Sequence, residues 1–103
     1  MELNQAQTEL YRRVAGHYAE RFQVSDDSFA DSAHIDPGRH RAIMAGYGNT
    51  LDESETSSFV EWCEELKNAE AREVFDLKRH GLPVPRTLAD VVKEFNQSLA
   101  ERS

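Results

Sequence analysis

The chain has one cysteine, three prolines and five glycines among its 103 residues, and no long apolar run. A lone Cys63 excludes an internal disulfide and any zinc site built on clustered thiolates, and it agrees with a reducing compartment. No stretch approaches the ~20 apolar residues needed to cross a bilayer. Met1–Gln5 also lacks the basic start and apolar run of a signal peptide, so the protein is expected in the cytoplasm, away from membranes. Period-two alternation is absent, which excludes a strand-based fold, and there are no internal repeats. Positive charge is scarce as well: 12 Lys and Arg against 19 Asp and Glu give a net charge of −7, which opposes nucleic acid at long range.

What is present is segregated negative charge. Val24–Asp36 holds Asp26, Asp27, Asp31 and Asp36 with no basic residue. Leu51–Glu70 holds Asp52, Glu53, Glu55, Glu61, Glu64, Glu65 and Glu70 against Lys67 alone. The rest of the chain is slightly basic. If the fold joins the two stretches, the molecule has a negative face that attracts basic partners.

The composition is polar, with a mean hydropathy of −0.69, 39% hydrophobic and 30% charged residues. One hundred and three residues suit a single domain, 1–103, with a modest core. Helical periodicity fills most of it. Ala6, Leu10, Val14, Tyr18 and Phe22 recur every four residues, widened by Tyr11 and Ala15, and predict a helix over 4–22 with Asn4 as its cap. The segment 24–36 has no periodicity and reads as a flexible acidic loop or a single turn, pinned by Phe29 and Ile35. Asp36-Pro37 starts a helix over 37–46, which Gly46 or Gly48 stops.

Both Thr50/Glu53 and Asp52/Glu55 have capping-box spacing ahead of a long helical pattern. Within it Phe59, Trp62, Cys63, Leu66 and Ala69 share one face, whereas Ala71, Val74 and Phe75 centre about a quarter-turn away. A straight helix would place Glu70 and Glu73 inside the apolar stripe, so a break with Asn68 as a new cap is expected, giving helices over 52–67 and 68–80. Thr87, with Asp90 three residues on, caps a last helix over 88–101 whose buried stripe is Leu88, Val91, Val92, Phe95 and Leu99. The expected fold is all-α, a small bundle of four to five helices.

No catalytic motif stands out. His34, Asp36 and His40 place imidazole and carboxylate within seven residues, but the spacing matches no metal pattern and Asp36 is better read as a cap. Neither a metal nor any other cofactor is expected. Cys63 among Glu61, Glu64 and Glu65 reads as a packed thiol, since acidic neighbours raise a thiol pKa. Glu70 and Glu73 become ordinary solvated residues if the helix breaks. Gly46-Tyr47-Gly48-Asn49 follows a helix and lacks a lysine, so it terminates a helix rather than cradling phosphate. Arg39, His40 and Arg41 are expected to pair with the acidic segment before them.

The expected function is therefore that of a small acidic, non-catalytic interaction protein, a regulator or inhibitor. Its partner-binding residues are Asp52, Glu53, Glu55, Glu61, Trp62, Glu64 and Glu65, docking on a protein partner with a basic surface, including one that otherwise holds nucleic acid. The alternative is a helix-turn-helix-like DNA-binding regulator using residues 71–95, which carry Arg72, Lys78, Arg79, Arg86 and Lys93.

Overall fold

A computed structural model of the chain describes residues 3–46 and 49–102, apart from the side chains of Leu3, Asn4 and Arg102. The fold is all-α. Five helices follow in order: α1 (Leu3–Phe22), α2 (Asp26–Ser32), α3 (Pro37–Ala45), α4 (Glu53–Arg79) and α5 (Leu88–Arg102), with no strand among the described residues. The chain divides into two compact units, Met1–Glu61 and Trp62–Ser103, and the boundary falls inside α4.

In the first unit α1, α2 and α3 pack together. The buried centre of α1 is Tyr11, Val14 and Ala15, each fully shielded, whereas Phe22 at the end of the expected stripe is 44% exposed. Rings from distant parts of the sequence meet around Tyr11: Phe29 at 5.0 Å between centroids, Phe59 at 5.3 Å and His40 at 5.7 Å. Edge-on and tilted arrangements of this kind add to the simple burial of ring area. Asn4, expected as a cap, falls within α1, and its side chain lies outside the described residues.

The acidic segment is not a loop. Residues 26–32 form a two-turn helix, because Phe29, Ala30 and Ala33 fall on one helical face and all three are buried, while Asp26 and Asp27 suit the positive end of the helix. The polar residues around that short stripe conceal it in the sequence. His34 ends α2 in the left-handed conformation (φ 60°), with Ile35 N–H donating to the Ala30 carbonyl at 2.8 Å. This is the termination that glycine usually provides, and it turns Ile35 back into the core.

Asp36 caps α3 as expected, accepting from Arg39 N–H at 3.1 Å with Pro37 at the first helical position. Gly46, at φ 93°, ends it. Arg12 Nε donates to the Ile43 carbonyl at 2.7 Å, and Thr8 Oγ1 accepts from Leu51 N–H at 3.0 Å, so two α1 side chains satisfy backbone groups around the end of α3. Asn49 folds back onto the Gly46 carbonyl, which agrees with a helix stop, while Tyr47 and Gly48 lie outside the described residues.

The second unit corrects one expectation. No break occurs near Lys67-Asn68, and α4 runs through as one helix of 27 residues. The conflict that motivated the break is resolved by a polar partner: Glu70 is only 3% exposed, and its Oε1 accepts from Leu88 N–H, a first-turn amide of α5, at 2.8 Å. Ala71 and Phe75 do not form a second buried face, and Phe75 is 67% exposed.

The end of α4 follows the expected chemistry. Gly81 at φ 68° donates its N–H to the Lys78 carbonyl, and Leu82 N–H donates to the Leu77 carbonyl at 2.9 Å. Thr87 and Asp90 then cap α5 reciprocally, with Thr87 N–H donating to Asp90 Oδ2 at 3.0 Å and Asp90 N–H to Thr87 Oγ1 at 3.4 Å. Those hydrogen bonds hold the Asp90 carboxyl below its ordinary pKa. Leu88, Val91 and Phe95 are buried, and Val92 and Leu99 partly so.

Candidate functional site

Capping chemistry positions the start of α4. Asp52 N–H donates to Glu55 Oε1 at 3.0 Å and Glu55 N–H donates to Asp52 Oδ1 at 2.7 Å, so the Asp52/Glu55 pair forms the capping box. The same Glu55 carboxylate takes both Arg39 donors, Nε at 3.0 Å and Nη2 at 2.9 Å, and Arg39 Nη2 also reaches the Thr50 carbonyl at 2.8 Å. Arg39 holds the Glu55 carboxyl below the usual carboxylate range. Glu55 is thus committed inside the molecule and is not presented to a partner.

The first acidic segment is drawn toward the same short basic run. Asp27 Oδ1 lies 4.0 Å from Arg41 Nε, and Asp26 Oδ1 lies 3.8 Å from His40 Nε2. The Arg39-His40-Arg41 run therefore meets carboxylates from both acidic stretches of the first unit. Pairing with the preceding segment holds for Arg41, while Arg39 bridges to Glu55 instead and His40 stands beside Asp26 without a hydrogen bond to it. Asp27 and Glu55 are in this way partly neutralised.

Along α4 the remaining carboxylates behave differently. Glu53, Glu61, Glu64 and Glu65 are all exposed, and at 100° per residue they project from one side of the helix. Glu64 pairs loosely with Lys67 at 3.6 Å, a surface contact of small energetic value. Glu53, Glu61 and Glu65 meet no basic side chain within ion-pair distance among the described residues. Val60, 43% exposed, lies on the same side, and Trp62 is half-buried.

His40 is the most constrained titratable group of the first unit. It is 1% exposed, its Nδ1 is 2.7 Å from Tyr11 Oη, and its Nε2 has no hydrogen-bond partner among the described residues. Burial, together with the charges of Glu55 and Asp26, raises the Tyr11 pKa, so the phenol stays neutral and either donates to or accepts from Nδ1. One atom each from Asp26, Asp27 and His40 lies within 4.8 Å of the others. His34 and Asp36, the sequence neighbours considered with His40, do not join this group: His34 is exposed at the end of α2, and Asp36 caps α3. Sequence reading missed the grouping because it depends on α2 being helical. The helical spacing of Phe29, Ala30 and Ala33 was the available signal.

The other candidates are structural. Cys63 is buried, and burial pushes its thiol up to about 12, as expected for a packed side chain. Glu70 is the α5 cap described above and not a solvated residue. Arg86 pairs with Glu94 eight residues on in α5. No described helix is long and apolar enough to cross a membrane.

Comparison with protein-family models, curated proteins and solved structures finds no match to this chain.

Proposed function

We propose that this protein is a small non-catalytic interaction protein, a regulator or inhibitor acting in the cytoplasm, that docks exposed carboxylates of α4 on a basic surface of a protein partner. The docking residues are Asp52, Glu53, Glu61, Glu64 and Glu65, with Trp62 and Val60 supplying apolar contact. Glu55 is left out of the set because Arg39 already holds it.

One observation carries this reading. Glu53, Glu61 and Glu65 are exposed on one side of α4 with no basic side chain in ion-pair reach among the described residues, whereas Asp27 and Glu55 meet Arg41 and Arg39. Carboxylates left unneutralised along one side of a helix present a run of negative charge, which speeds encounter with a cationic surface. A partner groove that otherwise holds phosphates is one surface of that kind.

The DNA-binding alternative has less behind it. The connection between α4 and α5 spans residues 80–87, longer than the three- to four-residue turn of a helix-turn-helix. Its Arg86 is engaged by Glu94.

The test is affinity capture from the native cell with wild-type protein and with Glu61→Lys/Glu65→Lys. A partner captured at low salt should be lost from the double variant, and its measured affinity should fall about tenfold or more on raising the salt to several hundred millimolar. A complex indifferent both to salt and to the charge reversal overturns the reading. Retardation of a DNA duplex that is abolished by Arg79 and Arg86 substitution would favour the alternative instead.

A further inference from the structure

We infer that Asp26, Asp27 and His40 form a binding site for a divalent first-row transition cation, held by two carboxylate oxygens and the His40 Nε2. The inference rests on a buried polar atom facing carboxylates, not on acidity alone. His40 is 1% exposed, and its Nε2 makes no hydrogen bond although Asp26 Oδ1 stands 3.8 Å away. A buried nitrogen without a partner is destabilising, and a metal ion on its lone pair removes that deficit.

The other side of the ring is already arranged for ligation. Nδ1 lies 2.7 Å from Tyr11 Oη, so the tautomer with the proton on Nδ1 donates to the phenol oxygen and turns the Nε2 lone pair toward the two aspartates. Histidines that bind metals are generally oriented by such a hydrogen bond from the second nitrogen. Tyr11 is fully buried and packed against Phe29 and Phe59, which fixes it as a positioning residue.

The distances require only modest closure. Donors around a tetrahedral ion with bonds near 2.0–2.2 Å stand about 3.3 Å apart. The three donor atoms here lie within 4.8 Å of one another, and both aspartate side chains are about half exposed, Asp26 at 46% and Asp27 at 51%. Their rotation closes the gap with no movement of the buried ring. Arg41, the cation now nearest Asp27 at 4.0 Å, is 72% exposed and swings into solvent at little energetic cost. One imidazole and two carboxylates suit zinc or manganese better than calcium, whose ligands are oxygens alone, and water completes the coordination.

The probe is zinc chloride, titrated calorimetrically into the full chain freed of any affinity tag, with histidine side-chain nitrogen shifts followed by NMR. One equivalent should bind, the metal-induced shift should fall on His40 Nε2 with the proton retained on Nδ1, and Asp26→Asn and Asp27→Asn should each weaken binding about tenfold or more. His34→Asn, which retains the left-handed end of α2, should bind as the wild type does. Circular dichroism should show each variant folded, since none of the three positions is buried. The inference is overturned if no saturable binding occurs below about 1 mM zinc, if either aspartate variant binds as the wild type does, or if His34→Asn abolishes binding.

Discussion

The two units of the chain solve the same problem with different means. In Met1–Glu61 two of the helices are short, α2 with 7 residues and α3 with 9, and what fixes them is a cluster of rings, Tyr11, Phe29, His40 and Phe59, contributed by four separate elements. In Trp62–Ser103 the later part of α4 and the 15-residue α5 are joined by a turn set by hydrogen bonds: a Schellman end at Gly81, a capping box at Thr87/Asp90 and the Glu70 carboxylate on Leu88 N–H. Large apolar side chains remain exposed there, Phe75 at 67%, Leu82 at 53% and Val84 at 42%. A short polar helix such as α2 exists only where a core receives it. A long helix needs chiefly a well-made end.

The sharpest way to break this contrast is to empty the ring cluster. Phe29→Ala should cost about 3–5 kcal/mol, read from denaturant midpoints, and should take the helicity of α2 with it. Glu70→Ala should cost about 1–3 kcal/mol by leaving the buried Leu88 N–H without its carboxylate, while Glu70→Gln, whose amide oxygen still accepts, should lose clearly less. Equal loss in both variants would show that charge and not hydrogen bonding fixes the α5 start.

Glu55→Gln should cost about 1–2 kcal/mol at neutral pH through the weakened Arg39 contact and capping box. Because the folded protein holds the Glu55 carboxyl below its ordinary value of 4.5, its contribution is complete above that pH and disappears as the pH falls through the lower, folded value. The wild-type advantage over the variant should therefore shrink progressively as the pH is taken down from about 7 into the acid range, which urea titrations over a descending pH series will check. The smallest effect belongs to Phe75→Ser, within about 0.5 kcal/mol, because that ring is already in water.

Comparison of particular elements shows where sequence reading succeeds. The Asp36-Pro37 start, the Gly46 and Gly81 ends and the Thr87/Asp90 box were legible because each rests on residues three or four apart. At Asp52/Glu55 and Thr50/Glu53 the sequence offered two registers, and the structure uses the former. The continuity of α4 was not legible. The pattern exposed a real conflict at Glu70, but the amide that resolves it lies 18 residues away. The candidate docking set was legible as charge, yet the removal of Glu55 from it was not, since Arg39 is 16 residues distant.

By itself the sequence determined the helical class, most helix ends and the placement of acidic residues, because periodicity, capping and backbone preference act over one or two turns. Only the tertiary structure decided that residues 26–32 form a helix, that α4 does not break, and that Asp26 and Asp27 stand beside His40. Those outcomes depend on contacts between side chains far apart in the chain, and such contacts compete with local preference through burial and unsatisfied polar groups that no short window of sequence contains.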